Sequence, residues 1–366
     1  MRILFIIFLN VLLASNVICQ TSASVAIRVT PKQILIERTK NGKELNFDFL
    51  LENKTDVNWE LTKIKVSVFD KAGNLVVQKS AWSGLDATLP GSFIVESKRT
   101  KLLLNPFYSF NPAIELSRLK YEFFFSEAVE ENAKSFSVET IVSPVFYQPK
   151  TNLILPLGGR VLVYEGHDFY AHHRRVDLTN PVVARLGVTT NPTRYGYDFM
   201  PVNKKGEAYR GQGKRNEDWF GFGASVLAPA GGVVKEVRNT VDDNILGQKM
   251  FDFRLVFDDI KAFYGNYIVI NHQNGEYSLL LHLKKGSVAV KVGDKVRQGQ
   301  PIAQIGISGD SEFVHVHYQL QNATEINNET LPPYFSNFRW WRGKTFSLIK
   351  NGTMETGDII ENVFGK

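Results

Sequence analysis

The chain has 366 residues, 43% hydrophobic and 22% charged, which is an ordinary composition for a globular protein. This length allows about two or three domains. The formal net charge of +6 is spread without a run of lysines or arginines, which argues against a nucleic-acid partner and suits an acidic surface such as an anionic cell envelope.

The N-terminus has the pattern of a secretory signal peptide. Arg2 precedes an apolar run at residues 3–14, which is too short to span a bilayer, and smaller and polar residues follow it. We expect residues 1–19 to be the signal, and no later segment has the length of a transmembrane helix. Cleavage of the signal peptide would also remove Cys19, the single cysteine of the sequence. A mature chain without cysteine favours a bacterial protein exported to the periplasm or cell envelope, or secreted.

Residues 20–143 are predicted to form an immunoglobulin-like β-sandwich. Apolar and polar residues alternate at 44–51 and again at 63–68, and turn residues such as the KAG at 71–73 separate the runs. This part contains no histidine. It therefore has no metal or acid–base constellation, and we expect a structural or binding module that docks an envelope protein partner, holds the chain near the wall or acts as a spacer.

Residues 144–366 form the second predicted domain, which is again rich in strands and has a C-terminal extension. All seven histidines lie in it, from His167 onward. Four stretches carry candidate chemistry: RYGYD at 194–198, GASVLAPAGGVV at 223–234, YSLLLHL at 277–283 and GISGDSEFVHVHYQL at 306–320. Side chains two apart on a strand point to the same face, so His315 and His317 place two imidazoles side by side.

The order of these motifs resembles the lysostaphin-like, LytM-type zinc endopeptidases, which cut peptidoglycan cross-bridges. The resemblance covers residues 153–320. It implies that Asp198 and His317 are metal ligands, that His282 and His315 are the catalytic pair, that the cofactor is Zn²⁺ and that the substrate is a peptidoglycan peptide. Zinc accepts neutral imidazole nitrogen and carboxylate oxygen, and a catalytic site keeps three protein ligands and one water.

One position departs from the family pattern. The first ligand would fall at Arg194, and a guanidinium stays protonated and cannot bind zinc. The candidates to replace it are His172 and His173, and a subset of the family with an upstream histidine favours His173. The alternative is a degenerate homologue that binds peptidoglycan or activates a cell-wall amidase without cutting any bond.

The remaining features are expected to be structural. His167 has no counterpart in the family and is predicted to lie at the surface or in a loop, while His272 heads a turn. Residues 291–300 (KVGDKVRQGQ) are predicted to form a scaffold hairpin, and the aromatic residues at 334–341 are predicted to cap the sheet.

Overall fold

The computed structural model describes residues 24–82, 88, 92–128, 133–248 and 250–363. The expected signal peptide, residues 1–19, lies outside these ranges. Among the described residues, no helix is long and apolar enough to cross a membrane. Strands dominate the described chain and helical segments are short, so the prediction of a mainly β protein is confirmed.

The N-terminal part of the described chain forms a three-stranded, a five-stranded and a four-stranded sheet. Its strands are β1 (Val25–Thr30), β2 (Leu35–Arg38), β3 (Lys43–Leu45), β4 (Asp48–Asn53), β5 (Trp59–Phe69), β6 (Leu75–Ala81), β7 (Ile94–Val95), β8 (Thr100–Leu104), β9 (Ser109–Phe110), β10 (Arg118–Glu127), β11 (Ser135–Val142) and β12 (Val145–Phe146). The strand orders are β1-β4-β8, β11-β10-β5-β6 with β7 beside β5, and β12-β2-β3-β9.

Alternating burial along the strands builds the core of this part. Every second residue at positions 119–125 of β10 is buried, and antiparallel pairing sets Tyr121 opposite Val66 of β5. Phe49 of the three-stranded sheet packs into the same cluster. Two sheets therefore share one apolar core, as in a β-sandwich. The immunoglobulin-like topology and the domain boundaries at 20–143 and 144–366 remain predictions.

The C-terminal part contains an eleven-stranded sheet and a two-stranded sheet. Its strands are β13 (Arg160–Glu165), β14 (Tyr197–Pro201), β15 (Ser225–Leu227), β16 (Gly232–Arg238), β17 (Asn266–Asn271), β18 (Tyr277–Leu283), β19 (Lys295–Val296), β20 (Pro301–Gln304), β21 (Val316–Gln321), β22 (Thr330–Leu331), β23 (Phe335–Arg342), β24 (Thr345–Gly352) and β25 (Ile359–Asn362). The helical segments are α1 (Pro181–Arg185) and 3₁₀ turns at His172–Arg174, Asn216–Asp218, Phe253–Phe257 and Ile260–Tyr264.

The order of the large sheet is β19-β16-β17-β18-β21-β14-β13-β25-β23-β24, with β22 beside β21, and β15 pairs with β20. Its three central strands carry the candidate chemistry. Antiparallel register places Asp198 of β14 directly opposite His317 of β21, and Leu281 of β18 lies on the other side of His317. The sheet thus brings together motifs that are far apart in sequence.

One prediction about a scaffold segment is wrong. Residues 291–300 do not form a hairpin, because β19 pairs with β16 while β20 pairs with β15. The turn at Gly299, with φ of 78°, redirects the chain from one sheet to the other. The C-terminal aromatic segment does more than cap the sheet: β23 and β25 extend it beyond β13 and bury Phe335 and Phe338 in the core.

Buried polar groups join the N-terminal and C-terminal parts. His167 lies in a loop, one of its two predicted places, but it is not at the surface: it is only 6% exposed, and its Nε2 lies 2.9 Å from a carboxylate oxygen of Glu37. This partner from β2 compensates for the burial of the imidazole. Asp48 of β4 pairs in the same way with Arg174 and Arg194.

The same junction predicts a pH dependence of stability. Burial and then the negative charge of Glu37 raise the pKa of Glu44 from 4.5 to about 7. The folded chain therefore holds the proton of Glu44 more tightly than the unfolded chain does. The stabilisation that this proton contributes is fully present below pH ~4.5 and is lost as the pH rises through ~7. We expect the free energy of unfolding to fall by roughly 3 kcal/mol from this group between these limits.

Denaturant unfolding of the wild type and of Glu44→Gln at pH 5 and pH 8 measures this contribution. The amide does not titrate, so the variant is expected to lose less stability than the wild type between the two pH values. An equal loss in both proteins would show that Glu44 is not responsible.

Candidate metal centre

Three side chains converge on the face of the central sheet. The donor atoms of His173, Asp198 and His317 all lie within 4.8 Å of one another, and all three residues are buried. Oδ1 of Asp198 is 2.9 Å from Nδ1 of His317 and 3.4 Å from Nε2 of His173. Such a set of two imidazoles and one carboxylate can hold a divalent metal ion.

Hydrogen bonds on the far side of each imidazole fix which nitrogen faces the cluster. Nδ1 of His173 donates to the carbonyl oxygen of Gly166 at 2.9 Å, which leaves the Nε2 lone pair toward Asp198. Nε2 of His317 lies 3.0 Å from Oε1 of Gln319, which leaves Nδ1 toward the same carboxylate. A metal-binding histidine typically has such an acceptor on its second nitrogen.

The structure separates the two upstream histidines. His173 is 2% exposed and its Nε2 faces Asp198. The side chain of His172 is 62% exposed, and its Nδ1 contacts Glu165 instead. Glu165, His172 and His173 form a second group of possible ligands, but it is more exposed than the first.

Arg194 does not occupy the cluster. Its guanidinium is 1% exposed and its Nη1 lies 2.7 Å from Oδ2 of Asp48. The turn after it leaves room for the ligand candidate: a Cβ on Gly196 would lie 2.8 Å from Cε1 of His317. Only glycine therefore admits the imidazole at this distance.

His315 and His282 lie beside the three candidate ligands. Nε2 of His315 is 3.4 Å from Oδ1 of Asp198, and the ring centroids of His282 and His315 are 4.9 Å apart. Nδ1 of His282 donates to the carbonyl oxygen of Ser308 at 2.9 Å, and Nδ1 of His315 donates to that of Phe313 at 3.0 Å. The other nitrogen of each ring, Nε2, is therefore left for the site, and that of His315 already faces Asp198.

The backbone of His282 is unusual for a residue with a side chain. Its φ is 60°, in the left-handed region that costs a non-glycine residue about 1 kcal/mol or more. The amide of Gly306 donates to the carbonyl oxygen of His282 at 3.0 Å and helps to hold this conformation. Strain of this kind concentrates at functional sites.

The pKa values of the titratable side chains in the cluster shift in different directions. Burial and the neighbouring His315 and His317 lower the pKa of His282 well below its ordinary value. Burial opposes ionisation of Asp198, but His173 and His315 outweigh it and hold the pKa of this carboxyl well below its usual range. Burial also lowers the pKa of His315, yet the charge of Asp198 outweighs it and the net shift is upward. A bound cation would offset that charge, so the upward shift belongs to the metal-free chain.

Several positioning groups were not predicted from the sequence. The carbonyls of Gly166, Ser308 and Phe313 carry no sequence signal, because any residue supplies a carbonyl. Gln319 does carry one: it stands two residues after His317 on the same strand and therefore on the same face. Its Nε2 donates to the Pro192 carbonyl at 3.0 Å, which anchors it.

Comparison with known proteins supports the resemblance. The profile described as Peptidase family M23 matches residues 218–329. This range contains His282, His315 and His317, whereas His173 and Asp198 lie outside it.

Two curated relatives come from Vibrio cholerae serotype O1. Peptidoglycan DD-endopeptidase ShyC is 39% identical over 70 residues, which are 19% of this chain and 16% of that protein. Peptidoglycan DD-endopeptidase ShyA is 45% identical over 56 residues, which are 15% of this chain and 13% of that protein. The chain thus spans less than a fifth of the length of either relative.

Among solved structures, the catalytic domain of lysostaphin from Staphylococcus simulans is 21% identical, with a TM-score of 0.23, over 37% of this chain and 74% of that one. The family match falls on the strands that carry the histidine motifs. The chain therefore carries a domain of Peptidase family M23, as its resemblance to the lysostaphin-like enzymes predicts.

Proposed function

We propose that this protein is a zinc-dependent endopeptidase that hydrolyses peptide bonds in peptidoglycan. The observation that carries the proposal is the convergence of His173, Asp198 and His317, with all donor atoms within 4.8 Å. The family match over residues 218–329 adds the reaction class, since it is a peptidase family.

The donor set suits zinc. Two neutral imidazoles and one carboxylate are ligands that catalytic zinc sites use, and three protein ligands leave a coordination position open. His173 would bind through Nε2 and His317 through Nδ1, because Gly166 and Gln319 occupy their other nitrogens. When bound, zinc polarises the scissile carbonyl and lowers the pKa of water to about 7.

His282 and His315 would act on the substrate rather than on the metal. The low pKa of His282 keeps its imidazole neutral at neutral pH, so its Nε2 can accept a proton as a general base. His315 lies next to it, and because its Nδ1 donates to the Phe313 carbonyl, its Nε2 carries an N–H only when the imidazole is protonated; in that form it can donate to the oxygen that becomes negative during attack on the amide. These roles match the catalytic pair expected from the sequence.

The substrate assignment rests on the relatives. ShyC and ShyA are peptidoglycan DD-endopeptidases by name, and the peptides of peptidoglycan are the corresponding substrate class here. An enzyme with this substrate works outside the cytoplasm, in the periplasm, in the cell envelope or after secretion. The net charge of +6 suits an anionic envelope.

Digestion of purified peptidoglycan tests the proposal. We expect the protein to release soluble peptide-linked fragments with new amino and carboxyl termini, detected by mass spectrometry. A chelator should abolish the release, and addition of zinc should restore it. The alternative, a degenerate homologue, predicts binding to intact peptidoglycan with no fragments at any zinc concentration, and that result would overturn the proposed activity.

A further inference from the structure

A single carboxylate of the N-terminal part reaches both segments that carry the upstream ligand candidates. Asp48 uses Oδ1 to pair with Nη1 of Arg174, which directly follows His173 in the sequence. It uses Oδ2 to pair with Nη1 of Arg194 at 2.7 Å, four residues before Asp198. The two segments are thus tied to each other through one side chain of β4.

Neighbouring groups of β2 and of the β3–β4 segment strengthen this connection. Nη2 of Arg174 donates to the carbonyl oxygen of Phe47 at 2.7 Å, and Nδ2 of Asn46 donates to that of Arg194 at 3.0 Å. On the other side of the loop, Glu37 pairs with His167, the residue after Gly166. The carbonyl of Gly166 is the acceptor that orients His173, so both ends of the 166–174 loop are held by the N-terminal part.

We propose that Asp48 is a positioning residue of the metal centre, which makes the N-terminal sandwich a structural part of that centre. The proposal rests on the proposed zinc site. Asp48 acts through Arg174 on the place of His173 and through Arg194 on the turn that leads to Asp198. This gives Arg194 a structural role. It stands where the family has a metal ligand, and by pairing with Asp48 it fixes the segment that leads to Asp198.

The burial of the network excludes a loosely attached module. Asp48 is 2% exposed, and Arg174 and Arg194 are each 1% exposed. Parting the sandwich from the peptidase part would leave buried charges without partners, which is strongly unfavourable. Within the described part of the chain, Nε and Nη2 of Arg194 find no hydrogen-bond partner, so its hold depends on Asp48 and Asn46. This polar face of the sandwich is occupied inside the chain and is not free for an envelope partner.

The zinc dissociation constant of full-length Asp48→Asn, measured by competition with a chromophoric chelator, tests the proposal. The amide keeps the volume and loses the charge that holds both arginines. We expect zinc binding about 10- to 100-fold weaker than in the wild type, the usual effect of removing support behind a metal ligand. The cobalt-substituted variant should also show a changed visible absorption spectrum, because the ligand geometry is altered.

Val66→Ala is the matched control for lost stability. Val66 is a fully buried apolar residue of β5 in the sandwich core and takes no part in the polar contacts of Asp48, so its truncation is expected to lower the thermal midpoint while leaving those contacts in place. Its zinc affinity and cobalt spectrum should equal those of the wild type. If Asp48→Asn changes zinc affinity no more than Val66→Ala does, the proposal is wrong.

A milder variant covers the case in which Asp48→Asn does not fold. Asn46→Ala removes the hydrogen bond that the Arg194 guanidinium donates to Asn46 and the one that Asn46 donates to the Arg194 carbonyl, and it leaves the Asp48–arginine pairs in place. We expect it to weaken zinc binding by roughly 3- to 10-fold at unchanged secondary structure. Unchanged affinity in Asn46→Ala would then overturn the proposal. A wild type that binds zinc while these variants bind it equally well contradicts the positioning role alone. A wild type that binds no zinc contradicts the proposed function as well.

Discussion

Replacing His173 by alanine is expected to release zinc and abolish hydrolysis of peptidoglycan. Nε2 of His173 faces Asp198 at 3.4 Å, and Arg194, turned toward Asp48, cannot substitute for it. Loss of a ligand itself should cost more than the roughly 100-fold lost with a supporting group. Zinc per chain after dialysis against a weak chelator, measured by mass spectrometry, should fall from about one to near zero.

His172→Ala is the control for this experiment. It removes the adjacent imidazole, whose side chain is mostly exposed and contacts Glu165 rather than Asp198. Zinc content and cleavage should stay close to the wild-type values. If His172→Ala loses zinc while His173→Ala keeps it, the ligand is His172, in the more exposed group with Glu165. Retention of zinc and activity in both would remove the upstream histidines from the centre.

Replacing either member of the proposed catalytic pair should slow turnover without releasing the metal. The variants are His315→Ala and His282→Asn, and asparagine is chosen because it tolerates the left-handed backbone found at His282, where φ is 60°. Loss of an acid–base residue typically costs about 10²- to 10⁴-fold in rate, and we expect a decrease in kcat of this size. The readouts are the rate of peptide release and zinc per chain.

The control for the pair is His272→Gln. His272 is bonded to the Gly231 carbonyl and the Ser278 hydroxyl, both at 2.8 Å, and lies outside the cluster. Its removal should leave zinc content and the rate per folded molecule unchanged. Zinc loss in His315→Ala or His282→Asn would mean that these residues belong to the ligand set. Unchanged rates in both would remove them from catalysis.

The sequence predicts those parts of the centre that depend on local spacing. His315 and His317 share a face because they are two apart on a strand, and the structure places His315 within 3.4 Å and His317 within 2.9 Å of Asp198. For this pair, strand periodicity carries the information. His282 is different: Leu281 is the residue opposite His317, so regular alternation would turn His282 to the other face of the sheet, and it is the left-handed backbone at His282, with φ of 60°, that accompanies its place beside His315.

The parts that were missed depend on partners far away in the chain. The sequence around His167 and Arg194 does not indicate that these residues pair with Glu37 and Asp48, which lie 130 and 146 residues away in the chain. For this reason the sequence places His167 only at the surface or in a loop, and it marks Arg194 only as a departure from the family pattern. The alternation at 44–51 predicts a strand with one apolar face and one polar face, and Asn46 and Asp48 lie on the polar face. That face is buried because the C-terminal part packs against it.

A crystal structure of the zinc-loaded protein, with anomalous diffraction measured at the zinc absorption edge, tests the central claim most directly. We predict one anomalous peak, about 2.0 to 2.2 Å from Nε2 of His173, Nδ1 of His317 and a carboxylate oxygen of Asp198. His282 and His315 should lie beside the peak without binding it. A peak held by Glu165 and His172, or no peak at Asp198 in crystals soaked with zinc, would contradict the account.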